Sequence, residues 1–374
     1  MRKDMSDKIP LVDLKAQYAA IKPEIDSAIA RVIANTSFIG GREVSQFEEA
    51  FAAFQRTRYC VGVASGTAAI YLVLKALGIG AGDEVITTPH TFIASAEPIE
   101  ALGARTVLVD IDPLTFNLDP ALVEAAITER TKAILPVHLY GQITGMDRLA
   151  EIARRRGVHL IEDAAQAHGA EFQGERAGHW GIASCFSFYP GKNLGAYGDG
   201  GAVCTNDESL AKILAKLRDH GRMSKYEHDI IGYGERLDSL QAAILGAKLP
   251  YLDGWNTARR NHAAYYDQAF TGVNGLQTPR EADGARHVYH IYSARVRGDR
   301  DAALAALKER GIEVGVHYPV PLHMQPALTH LGYPKGAFPH TEQAAKSIIS
   351  LPMYPELTLE QISRVVEEVA DVVG

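Results

Sequence analysis

His159-Leu160-Ile161-Glu162-Asp163-Ala164-Ala165-Gln166 decides the fold. After His159 the run sets Leu160 and Ile161 side by side, without the alternation of a half-exposed strand, and stops at carboxylates, so the strand it forms must be covered on both faces. Upstream, Leu149, Ile152 and Ala153 keep the three-to-four spacing of a helix. Similar strand-like runs stand at 132–139, 105–111, 84–88 and 60–64, and the last of these leads into a second helical pattern at Ile70, Val73, Leu74 and Leu77. Buried strands alternating with helices predict an α/β domain whose mainly parallel sheet lies between helices. Toward the C-terminus, 185–189 and 201–205 follow without an intervening helix and are expected to close that sheet.

After Asp207 a helix is expected through Lys216, then His220-Gly221 and an irregular polar stretch, then one long helical period over 237–270. From residue 271 the pattern changes. A strand at 288–296, a helix at 301–310, a second strand at 313–316 and a terminal helix from Leu359 read as a smaller α+β domain. A chain of 374 residues accommodates two domains. We place them at 1–250, N-terminal segment included, and 251–374.

Hydrophobic residues make up 47% of the chain and charged residues 22%, which excludes the disordered class. A net charge of -7 without a Lys/Arg cluster argues against a nucleic-acid surface, because counterion release needs a basic face. The three cysteines, Cys60, Cys185 and Cys204, match no Cys-x-x-Cys spacing, and no His-Glu-x-x-His occurs, so no metal site is expected. Residues 1–10 hold no apolar stretch of a signal peptide, and no run of 18 apolar residues appears. The expectation is a cytoplasmic protein that meets no membrane.

The chemistry gathers around Lys192, in Ser187-Phe188-Tyr189-Pro190-Gly191-Lys192-Asn193-Leu194-Gly195. A lysine in a glycine-dense loop after an aromatic strand reads as a nucleophilic amine, which needs partial desolvation to lower its pKa. The plain alternative is a solvated surface lysine. A P-loop is excluded, since its upstream glycine and its Ser or Thr after the lysine are both missing. Ser65-Gly66-Thr67, where a strand hands over to a helix, reads equally as an anion cradle and as a helix N-cap. Asp163 ends its strand where open α/β sheets bind ligands. If the ligand is pyridoxal phosphate, Asp163 sits against the ring nitrogen, Gln166 reaches the ring hydroxyl and Ser187 the phosphate. Phe92, in Thr88-Pro89-His90-Thr91-Phe92, then stacks on the ring, although a core aromatic would look the same.

Several long motifs in order make the chain resemble the DegT/DnrJ/EryC1/StrS family of sugar aminotransferases. They are Pro10-Leu11-Val12-Asp13-Leu14, Ala64-Ser65-Gly66-Thr67-Ala68-Ala69, Glu162-Asp163-Ala164-Ala165-Gln166-Ala167-His168-Gly169, the lysine loop, and Val316-His317-Tyr318-Pro319-Val320-Pro321-Leu322-His323. The resemblance runs nearly end to end. It implies fold type I of the pyridoxal-phosphate enzymes, a large domain with a seven-stranded, mainly parallel sheet plus the smaller C-terminal domain. It also implies that Lys192 carries the cofactor as a Schiff-base lysine, that Asp163 faces the ring nitrogen, Gln166 the ring oxygen and Phe92 the ring face, and that Gly66, Thr67 and Ser187 hold the phosphate. Tyr189, Lys225, Tyr226, His317 and Tyr318 match positions that line the sugar pocket in such relatives, and Phe38 and Gly40-Gly41 a loop that borders it.

In this family the residues around the lysine divide enzymes acting at a 4-keto sugar from those acting at a 3-keto one. Tyr189-Pro190-Gly191-Lys192-Asn193-Leu194-Gly195-Ala196-Tyr197-Gly198-Asp199-Gly200-Gly201 looks like the 3-keto group. The implied reaction moves an amino group from glutamate to a 3-keto nucleotide sugar, in a homodimer whose active site lies at the subunit interface. A 3-keto uronate or a 4-keto sugar is the alternative substrate. Many relatives have Asn in Gly-Tyr-Asn-x-Arg, reaching the phosphate across that interface, whereas here the segment is Gly232-Tyr233-Gly234-Glu235-Arg236. Related sugar dehydratases have histidine at the lysine position, which Lys192 argues against. A non-catalytic regulator is the rival of a different class, and no DNA-binding extension or basic stretch supports it.

Overall fold

The computed structural model describes residues 8–143 and 145–374. All seven expected strands of the large sheet form: Tyr59–Val63 (β1), Glu84–Thr87 (β2), Arg105–Leu108 (β3), Thr131–Ile134 (β4), His159–Asp163 (β5), Ala183–Ser187 (β6) and Gly201–Thr205 (β7). Their spatial order is β1, β7, β6, β5, β4, β2, β3. β7 runs antiparallel to both its neighbours, and the remaining neighbours are parallel. The carboxyl ends of β5 and β6 therefore open on one edge, with Asp163 at one end and Ser187 at the other.

Apolar layers cover both faces, as the missing alternation requires. Phe47, Phe51, Phe186 and Phe188 pack on one side and Leu72, Val73, Leu74 and Val203 on the other, all buried. Each such side chain contributes about 1.5–3 kcal/mol when removed from water. The helix Gly66–Ala76 (α1) starts directly after β1. Ser65 is its N-cap, accepting the Ala68 N–H at 3.0 Å. The hydroxyl thus does the capping while Gly66 and Thr67 occupy the first turn.

The single helical period expected over 237–270 is two helices, Ser239–Lys248 (α2) and Leu252–Ala269 (α3), joined by a 3-10 turn, Leu249–Tyr251. Pro250 supplies the break, having no N–H to continue the ladder. A second sheet of Leu276–Gln277 (β8), Tyr292–Val296 (β9) and Ile348–Leu351 (β10) is antiparallel throughout. Helices Arg300–Glu309 (α4) and Leu359–Val373 (α5) pack on it around Tyr266, Tyr292, Leu307 and Val365. The strand expected at 313–316 reduces to one bridge, Gly315 with Ser350, because the chain then leaves the sheet to bring His317 and Tyr318 to the large domain's open edge. The N-terminal segment, grouped with the larger domain from sequence, lies along this second core: Ile9 is buried in it and bridges Ile312, and Leu11 O accepts from Met353 N at 3.2 Å.

Candidate active site

A cleft of about 580 Å³ lies where the open edge of the large sheet meets the second unit. Gly66, Thr67, Phe92, Asp163, Gln166 and Ser187 line it, together with Tyr189, Lys192, His317 and Tyr318. Lys225 and Tyr226 do not. Both are exposed, the lysine amine sitting 5.3 Å over the tyrosine ring, and Tyr226 is 81% accessible. Phe38 and Gly40 also stay outside the lining and are tied to α2 through Ser239.

Lys192 stands in a loop held on every side. Its N–H donates to Tyr189 O at 2.8 Å, and Ala196 N–H donates to Phe188 O at 2.8 Å. Gly195 is obligatory there, because a Cβ would lie 2.2 Å from Pro190 O. The Asn193 amide donates to Asn256 Oδ1 at 2.9 Å and Val288 O at 3.1 Å. From α2, the fully buried Lys248 donates to Gly195 O at 2.7 Å with its ammonium 4.1 Å over the Tyr197 ring. Burial lowers the Lys192 pKa to about 8, and only the Asp163 charge opposes that shift. Such an amine is partly neutral near neutrality, as a nucleophile must be.

Asp163 is 4% exposed. Its Oδ2 accepts from Ser95 Oγ at 2.7 Å and its Oδ1 from Ala165 N at 3.2 Å. Burial pushes its pKa up, and the Ser95 hydrogen bond is the first of the contacts that pull it back. Gln166 is oriented by backbone: Tyr140 N–H donates to its Oε1 at 2.6 Å, so the amide nitrogen faces the cleft, where it donates to Tyr318 Oη at 3.2 Å. Burial lifts Tyr318 to about 12, keeping the phenol neutral, and lowers His317 to about 4, keeping the imidazole neutral.

At the other end, α1 aims its first turn at Ser187. An ideal Cβ on Gly66 would lie 2.7 Å from Ser187 Cβ, so glycine alone lets helix and strand approach this closely. The Ser187 hydroxyl accepts from Tyr189 N at 3.3 Å. Backbone N–H groups at a helix start beside a hydroxyl suit a phosphate. Phe92 is 55% exposed with its ring 5.7 Å from the Tyr318 ring, an aromatic face presented to the cleft. Anion cradle, amine, carboxylate, amide donor and aromatic face together fit a flat pyridine aldehyde bearing a phosphate.

Sequence reasoning missed Thr91, Ser95, Asp199 and His290, which also line the cleft, and Asn193 and Lys248 behind it. Ser95 carries no motif. Its position four residues after Thr91, past a strand end, is the only signal, and nothing in the sequence aims it at Asp163. Gly234 lies beside His220, whose ring would be 3.2 Å from a Cβ there.

The profile of the DegT/DnrJ/EryC1/StrS aminotransferase family matches residues 19–370. The chain is 50% identical to the "Pleiotropic regulatory protein" of Geobacillus stearothermophilus, over 97% of this chain and 98% of that one. It is 46% identical to the dTDP-3-amino-3,4,6-trideoxy-alpha-D-glucose transaminase of Streptomyces venezuelae, over 97% and 96%. The crystal structure of S. venezuelae DesV in complex with a ketimine intermediate superposes with a TM-score of 0.95 at 46% identity, covering 97% of this chain and 98% of that one.

Proposed function

The chain belongs to the DegT/DnrJ/EryC1/StrS aminotransferase family, and on that footing we propose that it moves the amino group of glutamate to the 3-keto carbon of a nucleotide-linked 6-deoxyhexose. The observation that carries this reading is Lys192, its amine lowered to about 8, facing the same cleft as the buried Asp163. Pyridoxal phosphate, when bound, supplies the carbonyl that takes the amino group and a ring that withdraws electrons. Lys192 would hold the aldehyde carbon, Asp163 the ring nitrogen, Gln166 Nε2 the ring oxygen, Phe92 the ring face, and Gly66, Thr67 and Ser187 the phosphate. When not holding the aldehyde, the Lys192 amine would take a proton from the donor's α-carbon and carry it as the ammonium until it is handed on. In the second half-reaction the same amine would move a proton in the opposite sense, to the sugar carbon that receives the nitrogen. His317 and Tyr318, both neutral, and Tyr189 are assigned to the sugar, which they can orient without adding charge.

Charge also argues for a second copy. Lys192 is the one lysine lining the cleft and no arginine does so, among the described residues, yet the cleft is to hold a phosphate, a nucleotide diphosphate and a dicarboxylate in turn. Met223, Tyr226 and Ile231, within nine residues of one another in sequence, are each exposed apolar side chains that a partner would cover. We therefore assign Lys225 and Tyr226 to the partner's cleft in a homodimer. Reduced thiols suit the cytoplasm, where we place the enzyme; all three cysteines are free.

The relative named as a regulatory protein gives a second reading, a binding protein without turnover. One assay separates the readings and sets the regiochemistry: a panel of 3-amino and 4-amino nucleotide sugars offered with 2-oxoglutarate, followed by product identification. Glutamate formed from 3-amino sugars is expected. A preference for 4-amino sugars overturns the regiochemistry, and no turnover with any member overturns the enzyme.

A further inference from the structure

Asp163 is fixed by fewer groups than its burial would suggest. Its backbone is tied by Asp163 N–H to Pro136 O and by His138 N–H to Asp163 O, both at 2.9 Å. Its carboxylate has one side-chain donor among the described residues, Ser95, besides the Ala165 N–H. An ionised carboxylate can only accept, so the Ser95 hydrogen points at Oδ2. That leaves the Ser95 oxygen as an acceptor. The Thr91 hydroxyl, 2.9 Å away, is then its donor. The proton order Thr91 to Ser95 to Asp163 follows from the charge at its end, and both hydroxyl residues are buried, at 3% and 2% exposure.

The chain of hydroxyls sits in a single turn. Ser95 closes the 3-10 helix Ile93–Ser95, with its N–H on Phe92 O at 3.1 Å. Phe92 from the same turn offers its ring to the cleft. One short segment therefore sets both the carboxylate and the aromatic face.

We infer that Ser95, its hydroxyl ordered by Thr91, is a positioning residue that keeps Asp163 ionised and directed at the cofactor's ring nitrogen, an assignment that rests on the pyridoxal-phosphate reading above. Burial alone drives Asp163 toward its neutral form, in which its interaction with a protonated pyridine would fall away. The Ser95 donation counters that drive without placing a second charge in the cleft.

The test compares cofactor affinity with and without the ring nitrogen. Cofactor-free wild type, S95A and T91V are titrated with pyridoxal phosphate and with its 1-deaza analogue, in which C–H replaces the nitrogen, and binding is followed by tryptophan quenching. S95A is expected to weaken pyridoxal phosphate about tenfold, the size of one hydrogen bond to a charged group, and the analogue by less than about twofold. T91V, which keeps the side-chain shape and loses only the ordering hydroxyl, is expected to show a smaller loss, again confined to pyridoxal phosphate. Equal losses with both cofactors, or no loss with either, would overturn the role of Ser95 alone. Wild-type protein that binds neither cofactor would overturn both this assignment and the reading beneath it.

Discussion

Lys192 makes the residue-scale case, because its environment predicts a reactivity that can be read without turnover. Its pKa is lowered to about 8 from an ordinary 10.5 by burial, so its neutral, reactive fraction rises at a pH about two and a half units lower than that of a surface lysine. Cofactor-free protein reductively methylated across a pH series and mapped by mass spectrometry should show half-maximal labelling of Lys192 near pH 8. A midpoint above pH 10 would sink the assignment. Lys248, lowered to about 8 as well, is the internal control: it is wholly enclosed and should stay unlabelled while the fold holds. Residues such as Lys192, Asp163, Gln166 and Ser187 were legible in sequence because each stands at a fixed offset from a strand end. Ser95 and Lys248 were not, because their partners lie 68 and 53 residues away and only packing brings them together.

Elements show why the lysine loop carries so many glycines. Gly195 passes so close to Pro190 that a methyl group would have to displace backbone, and Lys248 from α2 holds its carbonyl. Gly195→Ala should therefore cost about 1–3 kcal/mol, as overpacking does, and lower kcat more than it raises KM, since the damage falls on the placement of the amine. Urea unfolding and steady-state kinetics measure the two effects. A stable variant with unchanged kcat would show that the tight turn does not set the amine. The strands were readable from their unbroken apolar runs, and their ends fell within five residues of expectation, the widest gap being Ile134 where residue 139 was expected. Two elements were not. Pro250 divided one helical period into α2 and α3, and the expected strand at 313–316 gave up its ladder after one exchange with Ser350. In both places a local pattern was overridden, by a missing N–H in the first and by the path to the cleft in the second.

For the whole molecule the missing cations make a prediction of their own. If Lys225 and Tyr226 serve the partner's cleft, a chain carrying Lys192→Ala and a chain carrying Lys225→Ala with Tyr226→Ala each lack a complete site, yet a mixed dimer rebuilds one. Refolding the two together at equal amounts should restore about a quarter of wild-type activity, the share expected for random pairing in a two-fold dimer. Mixing that restores nothing would return both residues to the surface of their own chain.

The N-terminal segment has a consequence for how the enzyme comes into being. Ile9 bridges Ile312, and Leu11 meets Met353 before forming, with Val12, one wall of the cleft. Ile9 and Leu11 must therefore wait for Ile312 and Met353, which follow them by more than 300 residues, before they find their place. The large sheet can close on its own contacts, but this wall of its pocket forms only once the second core has folded to receive it.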